Sequence, residues 1–134
     1  MPELPEVETT VQGLRATVVG KEIADVWSDW ENLFKNTTLT KFKKLVLGKK
    51  ILGVERVGKN ILIKLSGETT VLIHMKMTGH LLYGKYKRTI QDSRFKNYEW
   101  EAVEPGPLRD DPYNRFLHVV FTFTDNTNLA LCDA

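Results

Sequence analysis

The sequence of 134 residues lacks several features that would assign it to a specialised class of protein. Cys132 is its single cysteine, which excludes an internal disulfide and leaves no cysteine cluster for a metal. No apolar run approaches the roughly 20 residues of a membrane-spanning helix, and the N-terminus lacks the basic and then apolar pattern of a secretion signal. We therefore expect a cytoplasmic protein without a membrane partner, in which Cys132 is a small core residue.

The charged residues are unevenly distributed, although the net charge is only +2. Acidic residues predominate up to Glu31. Two basic blocks follow, at 35–64 and 76–96, in which the only acidic residues are Glu55 and Asp92, respectively. This distribution favours a surface with one side that faces a polyanion, although runs of lysine are commonly no more than a solvated face.

Two helices are expected. Pro5 suits the first turn of a helix, where its missing N–H costs nothing, and this helix should fade near Gly20. Its apolar stripe has helical spacing and consists of Val7, Val11 and Leu14. A second short helix is predicted over residues 40–47, with Gly48 as its stop. The residues expected to face inward from this helix are Phe42, Leu45 and Val46.

Most of the remaining sequence favours strands. Alternating or β-branched segments predict them at 22–27, 50–57, 61–65, 70–75, 80–86, 115–124 and 129–132, with a short segment around Leu33. Turns are predicted at 58–60 and 66–68, and the stretch 89–111 has no regular pattern. The sequence therefore predicts a mainly β protein. We expect a two-layer β-sandwich or flattened barrel, flanked by the N-terminal helix and a second short helix.

The start of the chain holds a candidate nucleophile. With Met1 removed, Pro2 would carry a free secondary amine, and an α-amino group titrates at a pH of roughly 8. Such an amine can form a positively charged iminium with a sugar carbon, and the adjacent Glu3 could act as general acid or base. Taken alone, Pro2 and Glu3 are explained more simply as the start of a helix, where both residue types are favoured.

The opening string PELPEVE resembles the N-terminus of the bacterial formamidopyrimidine-DNA glycosylases. The resemblance implies that the amine of Pro2 attacks the sugar carbon that bears an oxidised purine, expels the base and then cleaves the strand by β,δ-elimination. It also implies that Glu3 is the acid–base partner and that Glu6 lies near the catalytic pocket. The endonuclease VIII branch, which acts on oxidised pyrimidines, usually has glycine at the position of Leu4. The oxidised-purine branch is therefore favoured.

Two further segments resemble the same family. Gly58-Lys59-Asn60 is similar to a hairpin whose lysine contacts DNA phosphates, which implies that role for Lys59. Residues 74–79 are similar to an H-x-x-M-[ST]-G segment. This implies that His74 lies by the DNA backbone and that Met77 fills the space left by a flipped nucleotide. By pattern alone, Lys59 is an exposed turn lysine, His74 a strand histidine and Met77 a core or loop residue.

The resemblance covers residues 1–134 and implies the N-terminal catalytic domain of a longer, monomeric enzyme. The helical two-turn-helix region and the zinc finger of the family would lie beyond this chain. No cofactor is expected within it, because a zinc site needs about four ligands and Cys132 is a lone cysteine. The implied partner is double-stranded DNA with oxidised bases or abasic sites, which the chain alone should bind weakly.

Two other functions remain open at this point. The chain could be a DNA-binding module without catalytic chemistry, or a structural fragment that does not bind DNA tightly. A free amine on Pro2 separates the enzyme from both alternatives. Retention of Met1 would convert the Pro2 nitrogen into an amide and remove the nucleophile.

Overall fold

The computed structural model describes residues 4–29, 34, 37–74, 79–88, 100–102 and 117–133. Helix α1 comprises Leu4–Thr17, so that Pro5 lies in its first turn, as predicted. The stripe Val7, Val11 and Leu14 is buried against the core, which confirms the predicted face of this helix. No helix in the described part of the chain is long and apolar enough to cross a membrane.

Helix α2 comprises Leu39–Val46 and begins after Thr38, whose Oγ1 accepts a hydrogen bond from the Lys41 N–H at 3.2 Å. Val46 is buried, and Leu39 and Phe42 pack against the core. The prediction that Leu45 faces inward was wrong, because its side chain is 56% exposed. The inward residues recur at positions i, i+3 and i+7, and Leu45 lies about 100° around the helix from Val46.

Nine strands fall within the described residues. They are β1 (Ile23–Ser28), β2 (Ile51–Val57), β3 (Asn60–Leu65), β4 (Thr69–His74), β5 (Gly79–Gly84), β6 (Tyr86–Arg88), β7 (Trp100–Ala102), β8 (Leu117–Phe123) and β9 (Asn128–Asp133). One antiparallel sheet has the strand order β1-β8-β9-β5, and a second has the order β2-β3-β4. Strands β6 and β7 form a separate antiparallel pair.

Two strand predictions need correction. The segment 80–86, predicted as one strand, is divided at Lys85 because β5 pairs with β9 whereas β6 pairs with β7. Asn128 supports the division, since its side-chain Oδ1 accepts a hydrogen bond from the Tyr86 N–H at 3.0 Å. Strand β7 lies in the stretch predicted to be irregular, where no local pattern indicated it. The segment around Leu33 lies outside the described residues.

The two larger sheets pack face to face around one apolar core. The three-stranded sheet contributes residues such as Val54, Ile61 and Ile73. The four-stranded sheet contributes Ile23, Val26, Val119, Phe121, Phe123 and Leu129. A cavity of about 10 Å³ lies between the sheets, lined only by apolar side chains. Burial of each such side chain stabilises the fold by roughly 1.5–3 kcal/mol relative to leaving it exposed.

The described strands form an open sandwich rather than a closed barrel. Within the part of the chain that the structure describes, no strand of one larger sheet pairs with a strand of the other, and the isolated bridge between Glu22 and Lys50 lies outside the named strands. The opposite face of the four-stranded sheet buries a smaller cluster that includes Tyr86, Val120 and Cys132. Cys132 is fully buried there, as predicted for a small core residue.

Candidate functional site

The turn between β2 and β3 presents Lys59. Val57 pairs with Asn60, which leaves Gly58 and Lys59 as a two-residue loop at the end of the hairpin. Gly58 has a φ of +61°, a conformation that glycine adopts without steric cost and that tight hairpin turns require. The turn predicted from the sequence is therefore confirmed. Lys59 is partly exposed at its tip.

His74 lies beside this turn. It is the last residue of β4 and faces Asn60 across the antiparallel pair of β3 and β4. The Nδ1 atom of His74 is 2.7 Å from the Oδ1 atom of Asn60. An amide oxygen only accepts hydrogen bonds. The Nδ1 atom of His74 is therefore the donor in this contact, and the second ring nitrogen, Nε2, takes no part in it. The structure thus brings together the sequence-predicted residues Lys59 and His74, and Asn60 joins them.

A second set of contacts joins the same turn to α1. The Nε atom of Arg56 donates to Glu8 Oε2 at 2.9 Å, and its Nη1 atom donates to the carbonyl oxygen of Gly58 at 3.0 Å. Glu8 also accepts a hydrogen bond from Gln12 Nε2 at 2.9 Å. The contact with Arg56, followed by that with Gln12, lowers the pKa of the Glu8 carboxyl below its ordinary value.

Two other basic side chains in the block 35–64, Lys43 and Lys64, are paired with acids. The Nζ atom of Lys43 is 3.1 Å from Asp25 Oδ1, and the Nζ atom of Lys64 is 3.5 Å from Glu55 Oε2. Lys59 has no ion-pair partner among the residues that the structure describes. Its positive charge is therefore not neutralised by a described acidic neighbour and is open to an anionic partner.

The remaining predicted site residues are only partly described. Glu6 is exposed in the first turn of α1, where its main-chain carbonyl accepts a hydrogen bond from Thr10 Oγ1 at 3.0 Å. Pro2, Glu3 and Met77 lie outside the described residues. Their predicted roles as nucleophile, acid–base partner and wedge stay predictions, as do the roles of Glu6, Lys59 and His74.

The sequence reasoning singled out neither Arg56 nor Asn60 as a functional residue. The position of Asn60 opposite His74 follows from the predicted turn at 66–68, because a three-residue loop that pairs Leu65 with Thr69 also fixes the other pairs of the hairpin. No comparable local signal links Arg56 to Glu8, which is 48 positions away. Within the described ranges, no group of three or more His, Cys, Asp or Glu side chains is arranged to hold a metal ion.

Comparison with known proteins shows the family to which the chain is similar. Residues 1–134 match the family model of the formamidopyrimidine-DNA glycosylase N-terminal domain. The formamidopyrimidine-DNA glycosylase of Carboxydothermus hydrogenoformans is 45% identical over 131 residues, which cover 83% of this chain and 50% of that protein. The enzyme of the same name from Enterococcus faecalis is 35% identical over 133 residues, which cover 99% of this chain and 39% of that protein.

Solved structures show the same fold. The Lactococcus lactis Fpg in complex with DNA that contains an abasic site has a TM-score of 0.74 and 22% sequence identity, over 99% of this chain and 40% of that one. A complex of the Lactococcus lactis protein with DNA that contains Fapy-dG has a TM-score of 0.72 and 23% identity. At these identities the likeness concerns the fold alone.

The two-sheet fold and the matched residues define the class as the N-terminal β domains of DNA-repair glycosylases. Within this class, the chain belongs to the formamidopyrimidine-DNA glycosylase N-terminal domain family. The family predicted from the opening string is therefore confirmed. The chain spans half or less of the length of the curated relatives described above.

Proposed function

We propose that this chain is the catalytic N-terminal domain of a base-excision-repair DNA glycosylase that is also an abasic-site lyase. Its substrates would be oxidised purines, namely formamidopyrimidine and 8-oxoguanine lesions in double-stranded DNA. The observation that carries the proposal is the match of residues 1–134 to the N-terminal domain family, which includes the candidate nucleophile Pro2. The curated relatives, which bear the name formamidopyrimidine-DNA glycosylase, support it.

The reaction would begin at the free amine of Pro2. Its nitrogen forms a bond to the sugar carbon that bears the lesion, and the bond from this carbon to the base breaks, so that the base leaves with the electron pair. Glu3 supplies or removes the proton at the leaving group or the ring oxygen. Opening of the sugar ring, with a proton taken up by the ring oxygen, then gives an iminium. Loss of a C2′ proton expels the 3′ phosphate, and a second elimination expels the 5′ phosphate, which cleaves the strand. Glu6, in the first turn of α1, would border the pocket.

The two-residue turn of Gly58 and Lys59, here called the Lys59 turn, would hold the DNA backbone during these steps. The cation of Lys59, without an ion-pair partner among the described residues, suits a phosphate oxygen, and His74 lies beside it through Asn60. Met77 would fill the void left by the flipped nucleotide. That the Lactococcus lactis proteins of this fold were solved with abasic and Fapy-containing DNA supports this choice of partner.

We further propose that these 134 residues act as one monomeric part of a longer DNA clamp. The curated relatives are about twice as long or more, so the residues of this chain match only part of the surface that those proteins present. Each phosphate contact contributes to affinity for DNA and to its salt dependence. The chain alone is therefore expected to bind DNA weakly.

The decisive experiment tests the nucleophile. The chain without Met1 is incubated with an oligonucleotide that contains an abasic site, borohydride is added, and the mass of the protein is measured. The proposal expects a covalent adduct that maps to Pro2 and is absent when Met1 is retained. An adduct on a lysine instead would reject Pro2 as nucleophile. Salt-dependent DNA binding without an adduct would favour the non-catalytic DNA-binding module.

A further inference from the structure

Arg56 is the one described side chain that contacts both α1 and the Lys59 turn through hydrogen bonds. We propose that Arg56 is a positioning residue that fixes the Lys59 turn relative to α1 and hence relative to the nucleophile at the start of the chain. This inference rests on the proposed function of Pro2 and Lys59. We call the contacts among Glu8, Arg56 and the carbonyl group of Gly58 the Arg56 link.

The geometry of the guanidinium group suits this role. Its donors have fixed directions in one plane, so a single arginine can hold two acceptors at a defined separation. Here Nε is 2.9 Å from Glu8 Oε2 and Nη1 is 3.0 Å from the oxygen of Gly58. A lysine in the same place would be a flexible point charge, which cannot impose that separation.

The bond to Gly58 acts directly on Lys59. The Gly58 carbonyl group and the Lys59 nitrogen and Cα atom belong to one planar peptide unit. Restraint of the carbonyl oxygen therefore restrains the start of the Lys59 residue. On its other side, Asn60 is held by its contact with His74 at 2.7 Å. Lys59 thus lies between two anchored neighbours.

The other end of the Arg56 link is a firm anchor. Glu8 lies on α1, whose apolar stripe is buried in the core through Val7, Val11 and Leu14. Gln12, one turn further along α1, donates a hydrogen bond to the second oxygen of the Glu8 carboxylate at 2.9 Å. Pro2 precedes Leu4, the first residue of this helix, by two positions. The Arg56 link therefore runs from the helix that follows the nucleophile to the turn that would hold the phosphate.

A second arginine provides a matched control. The Nε atom of Arg15 donates to the carbonyl oxygen of Val54 at 2.8 Å, so it also joins α1 to β2. Its acceptor lies within the strand rather than in the turn. The variants R56Q and R15Q each remove one positive charge and one bond between α1 and β2, which is an ion pair with Glu8 for Arg56 and a hydrogen bond to a main-chain carbonyl for Arg15. Only R56Q also releases Gly58.

A misplaced phosphate contact should slow the reaction more than it weakens binding. Attack on the sugar requires the reacting atoms to be about 3–3.5 Å apart, and a displacement of about 1 Å can reduce a rate by about 100-fold. We expect R56Q to lower the rate of borohydride trapping at saturating abasic-site DNA by about 10-fold to 100-fold. The DNA concentration that gives half-maximal trapping should change by no more than about threefold, because Lys59 itself is retained.

The experiment compares the chain without Met1 with its R56Q, R56K and R15Q variants. Amide ¹⁵N relaxation at Lys59 and Asn60 reports the restraint of the turn, and trapping kinetics report the reaction. We expect R56Q and R56K to loosen both amides and to slow trapping, whereas R15Q leaves both readouts close to those of the parent chain. Lysine should fail to replace arginine because it cannot bridge the two acceptors at fixed positions.

Four outcomes would overturn the proposal. Unchanged relaxation at Lys59 and Asn60 in R56Q would show that the Arg56 link does not restrain the turn, whatever the activity of the parent chain. Equal slowing by R15Q, or full activity of R56K, would show that helix attachment or charge alone is responsible. A parent chain that forms no adduct even at saturating DNA would reject catalysis by this chain on its own and, with it, the role of Arg56 in that reaction, even if the turn loosened in R56Q.

Discussion

The Oδ1 atom of Asn60 and the Nδ1 atom of His74 lie 2.7 Å apart across the pair of strands β3 and β4. If this contact orients the imidazole for a DNA phosphate, N60A and H74A should each weaken binding to abasic-site DNA. The two losses should not add in the double variant, with a coupling of about 1 kcal/mol. Fluorescence anisotropy titrations of the four proteins measure this. Additive losses would show that the two residues act independently.

Replacement of Lys59 should change the salt dependence of DNA binding. The slope of log affinity against log salt concentration is negative. If Lys59 contacts one phosphate, K59Q should reduce the magnitude of this slope by about 0.9. Lys64 is the control, because it lies in the same sheet but is 3.5 Å from Glu55. K64Q should leave the slope nearly unchanged. Equal slopes for K59Q and the parent chain would exclude a phosphate contact by Lys59.

The ion pair of Lys21 and Asp125 should make stability depend on pH at both ends of the scale. The hydrogen bond from Lys21, followed in size by those from Thr127, lowers the pKa of the Asp125 carboxyl. The same contact with Asp125 raises the pKa of Lys21. The contribution of Asp125 is present above its unfolded pKa, about 3.9, and is lost as the pH falls from there towards its folded pKa. The contribution of Lys21 is present below its unfolded pKa, about 10.4, and is lost as the pH rises through its folded pKa.

The variant D125N tests this pair. Both side chains are partly exposed, so we expect it to lower the free energy of unfolding at pH 7 by only about 0.5–1 kcal/mol. The difference from the parent chain should shrink when the pH is lowered from 5 to 2. Urea unfolding at these pH values provides the measurement. A difference that persists unchanged at pH 2 would show that the ion pair is not its cause.

Truncation of a core side chain should be far more costly than truncation of an exposed one. Leu129 is completely buried between the sheets, whereas Leu72 on β4 is 61% exposed. We expect L129A to lower the free energy of unfolding by about 2–5 kcal/mol, since it loses apolar burial and leaves a cavity. L72A should change it by no more than about 0.5 kcal/mol. Chemical denaturation of both variants checks the contrast, and comparable losses would contradict the described core.

Features with a local cause were predictable from the sequence. The stripe Val7, Val11 and Leu14 has the period of a helix, and the turn at Gly58 requires a residue tolerant of positive φ. Local patterns failed where tertiary pairing decides. Strand β7 exists because β6 pairs with it, and Leu45 is exposed because α2 presents a neighbouring face to the core.

The candidate site shows the same contrast between features with a local signal and features that only the fold determines. Lys59 and His74 were singled out by resemblance to a family, and the register of the hairpin accounts for their proximity. Arg56 was not singled out, because its partner Glu8 belongs to a helix that is distant in sequence. In the sequence, both residues have the pattern of ordinary surface charges. A contact between partly exposed charges leaves no periodic signal, so only the folded arrangement reveals it.

The strand order β1-β8-β9-β5 has a consequence for the timing of folding during synthesis. Strands β2, β3 and β4 pair with their neighbours in sequence, so this sheet can form soon after the ribosome releases it. Strand β1 pairs with β8, with Ile23 opposite Phe123, so one edge of the other sheet cannot form until β8 has been synthesised. Until then, the nascent chain exposes apolar surface of the first sheet, and this interval is when it most needs protection by chaperones.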